Sequence, residues 1–230
     1  MWSPAVDKRR NLLNELLKQL KSKDIETKRD AARKLGALKD RRAVEPLLEA
    51  LNDAEEARRD IIVWALGKIG DKRAATPLIG FLADDDWRLR GKAAEALGEI
   101  GGGQGAVEAL LKTLEDRDDS VHWHVAWALG EIQDKRAVEP LLNFLDDSDP
   151  RRRWHAVWAL GKTGDKRAVK PLIPLLRDRE TLIRRNAALA LSRLGDQRAA
   201  EALTACLDDP DGEVKHFATE ALIAIEGSRS

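Results

Sequence analysis

The chain has 230 residues, 35% of them charged, and its 40 basic side chains are balanced by 40 acidic ones. That balance leaves no global field to draw nucleic acid or an anionic membrane, and no apolar run approaches the length of a membrane span. A single cysteine, Cys206, excludes a disulfide within the chain, and no signal-like core follows Asp7-Lys8-Arg9-Arg10, so a reducing, cytoplasmic compartment is expected.

One helical unit is copied along the sequence. Ala-Leu-Gly recurs at Ala65-Leu66-Gly67, Ala96-Leu97-Gly98, Ala128-Leu129-Gly130 and Ala159-Leu160-Gly161, and the glycine register also takes in Gly36, Ser192 and Ile223. The step is 31 residues, once 32, with Gly101-Gly102-Gly103-Gln104-Gly105 supplying the extra residue in a turn, where insertion costs least. A fixed period of this length predicts a stacked solenoid in a single domain, with repeats at 7–38, 40–69, 71–100, 103–132, 134–163, 165–194 and 196–226.

In chain order, residues 11–22 form the first helix of the first repeat, since Leu16, Leu17 and Leu20 lie one period before Leu47, Leu48 and Leu51. The second repeat opens at Asp40, a helix-capping residue repeated as Asp71, Asp134, Asp165 and Asp196. Val44, Leu47, Leu48 and Leu51 then give one apolar stripe, and Pro46, like Pro77, Pro140 and Pro171, is expected to bend its helix without ending it. The second helix of this repeat carries Trp64, with Asp60, Ile61 and Lys68 around it, and the third repeat offers Gly91, Lys92, Glu95 and Glu99 at the equivalent places.

In the fourth repeat the apolar stripe is Val121, Val125, Ala128, Leu129 and Ile132, and Trp127 lies about 200° from its centre. Trp123 sits one turn earlier on the same outward side, flanked by His124 and Glu131. The fifth repeat reproduces the pattern as Trp154, His155, Trp158 and Lys162, after the polar turn 146–150. In the seventh, Cys206 takes the place of Phe81 and Phe144 and reads as a buried thiol, and the last helix spans 213–225. Pro4-Ala5 and the final Gly-Ser-Arg-Ser read as short disordered tails.

Neighbouring helices pack about 8–10 Å apart, so Trp123, Trp127, Trp154 and Trp158 are expected to form a two-by-two cluster. Four indoles, each able to bury roughly 150–250 Å², make a patch that water does not tolerate uncovered. A partner, a ligand, a second copy of the chain, or neighbouring side chains should cover it. The competing reading is an indole lying flat across the next repeat as packing.

These features resemble HEAT repeats, in particular the short variety named after the phycobilisome lyases, over nearly the whole chain. The family's aspartate after the first helix and arginine six residues later correspond to Asp53 with Arg59, Asp84 with Arg90, Asp178 with Arg184 and, conservatively, Asp209 with Lys215. The fourth repeat departs, with His122 opposite Asp116, and the first pairs Ser22 with Lys28. The resemblance implies an all-α, right-handed solenoid of seven HEAT-like helix pairs whose second helices line a concave groove where partners dock. It extends to artificial consensus HEAT-like repeat binders.

Other chemistry is weakly marked. His122 and His124 are two apart on a helix and cannot comfortably share a metal. The related di-iron hydroxylase uses His-Glu pairs where this chain has Trp123-His124, Trp154-His155 and Arg29-Asp30, so neither a metal nor that activity is expected. Arginines at Arg58-Arg59, Arg151-Arg152-Arg153 and Arg184-Arg185 could track phosphates beside stacking indoles, but Glu95, Glu99 and Glu131 on the same face argue against nucleic acid. The expected function is therefore non-catalytic binding of a protein or peptide, without a cofactor. Trp123, Trp127, Trp154 and Trp158 act as anchors, His124, His155, Glu131 and Lys162 supply polar selectivity, and Trp64 with Ile61 forms an outlying contact. The alternatives are an aromatic-groove ligand or chromophore carrier such as a bilin-lyase accessory subunit, or homodimerisation through the same patch.

Overall fold

The computed structural model describes residues 4–52 and 56–227, apart from the side chains of residues 4, 5 and 56–58. Among the described residues there are fourteen α-helices and no strand, an all-α solenoid of seven pairs. The pairs are α1 Pro4–Gln19 with α2 Ile25–Leu38, α3 Val44–Asn52 with α4 Glu56–Ile69, α5 Ala75–Gly80 with α6 Trp87–Ile100, and α7 Ala106–Thr113 with α8 Asp119–Ile132. They continue as α9 Val138–Leu142 with α10 Pro150–Thr163, α11 Val169–Leu172 with α12 Thr181–Leu194, and α13 Ala200–Ala205 with α14 Gly212–Gly227. The described chain forms two compact units, one up to Ala128 and one from Leu129, with the boundary inside α8.

Two boundaries differ from expectation. Pro4 and Ala5 are the first turn of α1 rather than a tail, because proline's missing N–H and fixed φ suit the start of a helix. Residues 228–230 of the other expected tail lie outside the described residues, while its Gly227 ends α14.

The prolines stand at the start of α-helices that a 3-10 turn precedes. Asp40, Asp71, Asp134, Asp165 and Asp196 each accept a hydrogen bond from the backbone N–H two residues on, at 2.9–3.0 Å. The arginine supplying that N–H folds its guanidinium back onto the same carboxylate. This closes a 3-10 turn, such as Arg41–Ala43, ahead of the α-helix proper. Each proline is then the third residue of its helix, where its absent N–H costs little. The seventh repeat has Ala202 at this register and the same turn, Gln197–Ala199, so the aspartate rather than the proline makes it.

Second helices stack through small residues. A Cβ placed on Gly36, Gly67, Gly98 or Gly161 would lie 2.9, 2.8, 2.8 and 2.8 Å from the Cα of Ala65, Ala96, Ala128 and Ala190, closer than a Cβ can come. Gly161→Val is therefore expected to force α10 and α12 apart and cost about 2–3 kcal/mol. The check is the urea midpoint, and an unchanged midpoint would show that these helices separate freely.

Helix C-termini follow a similar rule with two exceptions. Gly70, Gly101, Gly164 and Gly195 turn the chain at φ +72°, +75°, +67° and +55°, while Lys39 and Gln133 hold φ +51° and +58° at the same register. A side chain is disfavoured there. Gln133→Gly is expected to stabilise by about 0.5–1 kcal/mol, after discounting glycine's greater freedom in the unfolded chain. Thermal unfolding of the variant measures this, and a lower melting temperature would mean that Gln133 makes a contact worth more than its backbone strain.

A polar ladder links successive repeats. Arg90 gives two 2.7 Å hydrogen bonds to the Asp116 carboxylate and bonds to the carbonyls of Asp84 and Asp85. Arg153 repeats this with Asp178 and the carbonyls of Asp147 and Ser148, and Arg184 with Asp209 and the carbonyl of Asp178. Arg59 lies 3.8 Å from Asp84, and Asp53 lies outside the described residues. In the fourth repeat His122 Nε2 donates to the Asp116 carbonyl at 2.9 Å, replacing the arginine's backbone contact.

The capping aspartates and the ladder aspartate Asp209 have depressed pKa values. Asp40 is brought to about 2 from an ordinary 3.8, chiefly by its hydrogen bonds from Arg42. Asp71, Asp134, Asp165 and Asp209 are lowered by the guanidinium groups of Arg73, Arg136, Arg167 and Arg184. Each folded value lies below the unfolded one, so this stability is complete above about pH 4 and is lost as pH falls toward 2. Helix content followed during acid titration should hold to about pH 4 and drop below it. Loss beginning near neutrality would shift the cause to the histidines.

Candidate functional site

The expected binding residues lie on the second helices. Trp64, Trp123, Trp127, Trp154 and Trp158 are all half-buried. Three of them have a defined seat. The Cζ3 atom of Trp64 lies 3.0 Å from where a Cβ on Gly36 would stand, that of Trp127 2.8 Å from the same point on Gly98, and that of Trp158 2.7 Å from that on Gly130. Each of the three indoles thus rests one edge on the bare backbone of the preceding repeat, Trp64 also borders Ala96 of the next, and all three stay half-buried.

Lysines decorate two of these rings. Lys68 Nζ stands 5.9 Å from the centroid of Trp64 and pairs with Glu99. Lys162 Nζ stands 5.6 Å from the centroid of Trp158 and pairs with Glu131 at 2.8 Å. In both, the ammonium is held by a carboxylate of a neighbouring repeat while it covers an aromatic face, an arrangement worth about 0.5–1 kcal/mol per contact at an exposed site. The histidines are held by packing. His124 lies against Gly91, its Cδ2 2.7 Å from the position of an added Cβ, and burial keeps its imidazole below the ordinary pKa, with Glu95 opposing. The His155 ring lies 4.9 Å from that of Trp154 at 55°.

The expected residues fall in both units. Trp64, Ile61, Trp123, His124 and Trp127 belong to the first, and Glu131, Trp154, His155, Trp158 and Lys162 to the second. Within the first unit, Trp64 and Ile61 come together with Asp60, Lys92 and Arg33 around a groove of about 200 Å³. Glu95, Ala96 and Glu99 extend it along α6 as a shallower recess. Arg33 is the residue that sequence reasoning passed over. It occupies in the first repeat the register held by Trp64 in the second, a correspondence visible in the sequence once the face is known to matter.

Elsewhere the chemistry is quiet. Cys206 is buried, its thiol 3.4 Å from the Ala202 carbonyl, and burial raises its pKa. Among the described residues no three His, Cys, Asp or Glu side chains converge as a metal site, and no helix is long and apolar enough to cross a membrane.

A family model for HEAT repeats matches residues 13–98, 76–154 and 138–223. Among solved structures, an engineered protein from the Northeast Structural Genomics Consortium is similar at 24% identity and a TM-score of 0.60, over 93% of this chain and 68% of that one. The complex of CpcE and CpcF of phycocyanin lyase from Nostoc sp. PCC7120 is similar at 25% identity and a TM-score of 0.60, over 95% and 88%. A designed armadillo repeat protein in complex with the peptide (KR)4 is similar at 23% identity and a TM-score of 0.51, over 93% and 99%. The first and third of these likenesses concern the fold alone. Comparison with curated proteins gives no match.

Proposed function

The chain belongs to the HEAT-repeat family, and on that premise we propose that it is a non-catalytic interaction module of the cytoplasm that binds a protein or peptide through the indoles of its second helices. The observation that carries this reading is the half-open seating of Trp64, Trp127 and Trp158, each fixed along one edge by a glycine of the preceding repeat. Rigid aromatic groups held in place before binding lose little freedom when a partner covers them, and such residues dominate interfaces. Trp123 and Trp154, one turn earlier on their helices, widen the contact, with His124, His155, Glu131 and Lys162 setting polar selectivity. In the first unit, Ile61 and Trp64 floor a groove whose walls carry both charge signs, which suits a peptide with alternating apolar and polar side chains. The same kind of fold holds a peptide in the designed armadillo repeat protein.

The test is selection from a displayed peptide library on the chain, followed by binding measurements on Trp127→Ala/Trp158→Ala. Selected peptides that bind both forms equally would overturn the reading. The likeness to the complex of CpcE and CpcF of phycocyanin lyase favours a second reading, an aromatic-groove ligand or chromophore carrier such as a bilin-lyase accessory subunit. A visible-absorbing pigment copurifying with the chain would support that one.

A further inference from the structure

Three successive second helices of the first unit, α2, α4 and α6, line the groove of about 200 Å³ that Ile61 and Trp64 floor. Its rim is charged, and most of that charge is satisfied from within. Lys92 is held by Glu95 at 2.8 Å, one turn further along α6, and Lys68 by Glu99. Two groups are left over. Arg33 stands 3.9 Å from the carboxylate of Asp30, too far for a hydrogen bond, and the same carboxylate holds Lys34 at 2.6 Å. The Asp60 carboxylate accepts the Ile61 N–H at 2.7 Å, and among the described residues no cation pairs with it. Both side chains are exposed.

These two charges are particular to this place. Arg33 occupies the register of Trp64, Glu95, Trp127 and Trp158, and Asp60 that of Gly91, Trp123 and Trp154. The fourth and fifth repeats thus put an indole at both registers, whereas here a guanidinium and a carboxylate stand around a single indole. An indole gains by burial against any apolar group, but charges at a partly desolvated rim discriminate by sign. Trp64 itself is fixed by the edge it rests over Gly36.

We infer that this groove is specific for a peptide segment in which an apolar side chain lies between an acidic one and a basic one. The inference rests on the indole-mediated binding proposed above and adds the partner's chemistry to it. The apolar side chain covers Ile61 and Trp64, the acid takes the Arg33 guanidinium, whose planar fork matches a carboxylate, and the base takes Asp60. Lys92 and Glu95 stay paired with each other, so a segment with two acids or two bases leaves one charge facing its like.

Selection from a displayed peptide library against the wild type, Arg33→Glu and Asp60→Lys tests this. Both substitutions alter exposed side chains, and circular dichroism should show each variant folded. Peptides that win on the wild type should carry one acid and one base around an apolar residue. Those that win on Arg33→Glu should carry two bases, and those that win on Asp60→Lys two acids. A synthetic wild-type winner should bind either variant on the order of tenfold more weakly, and exchanging the one matching charge in the peptide should restore the affinity. Arg33→Gln and Asp60→Asn, which remove a charge without reversing it, should each weaken binding about threefold. Winners whose binding falls with Trp64→Ala but ignores both charge reversals overturn the inference and leave the indole reading standing. Winners that depend on Trp158 and not on Trp64 do the same, because they place the peptide in the second unit. Winners indifferent to every tryptophan overturn both. A chain that takes no peptide and self-associates in sedimentation velocity, with Arg33→Glu monomeric, would make a second copy the occupant, and this too overturns the inference.

Discussion

Replacing Arg90 by methionine is expected to cost the fold about 3–5 kcal/mol, the scale for breaking a buried ion pair from one side. The residue is 3% exposed, and its loss removes two hydrogen bonds from Asp116 and one from each of two loop carbonyls. What remains is a carboxylate of which 7% is exposed; in the intact protein burial raises its pKa, and Arg90 with the Asp118 N–H outweighs that burial and lowers it. Arg90→Lys keeps the charge without the planar fork, and about half of the loss should persist. Adding Asp116→Ala to Arg90→Met should cost less than the two separate changes together, because the stranded carboxylate is gone. Urea denaturation of the wild type and the four variants, Asp116→Ala alone among them, gives the answer. A loss under about 1 kcal/mol for Arg90→Met would mean that water screens the ladder as it does a surface pair.

The second large effect concerns binding. Truncating an indole at an interface commonly costs about 2–4 kcal/mol, so Trp127→Ala/Trp158→Ala should weaken partner affinity by a factor on the order of a thousand or more. Both rings also lie against a glycine, and alanine there leaves a gap, so a stability loss of about 1–2 kcal/mol accompanies it. Leucine separates the two contributions. Trp127→Leu/Trp158→Leu retains apolar volume against Gly98 and Gly130 and should recover most of the stability but little of the affinity. Affinity that returns in parallel with stability would identify the tryptophans as packing residues only.

The parts of this molecule legible in the sequence are those governed within one repeat. The period, the aspartate caps and the sealed Ala-Leu-Gly leucines depend on neighbours a few residues away, and the pattern carries them directly. What crosses between repeats was less visible. The spacing of Asp84 and Arg90 suggests a pair within one repeat, yet the guanidinium meets only the carbonyl of Asp84 and gives its charge to Asp116. A helical wheel places Trp127 away from its own stripe but contains no second helix, so it cannot show Gly98 waiting beneath the ring. The groove at Trp64 needs Arg33 from one repeat and Lys92 from another, and neither is marked until the helices are side by side. The 3-10 turn at Arg41–Ala43 was hidden for a different reason. An aspartate followed by apolar periodicity signals a helix start, and the signal does not distinguish a tight first turn from an ordinary one.

The seating of Trp64 on Gly36, Trp127 on Gly98 and Trp158 on Gly130 also constrains how such a chain can be rearranged by duplication or by protein engineering. A tryptophan-bearing unit can be transplanted only behind a unit that ends in glycine at the stacking register. Placed after the sixth unit, with Ser192 there, or after the seventh, with Ile223, the ring would meet a side chain in place of bare backbone. The inheritable module is therefore out of phase with the repeat as usually drawn: it runs from the glycine of one unit to the indole of the next.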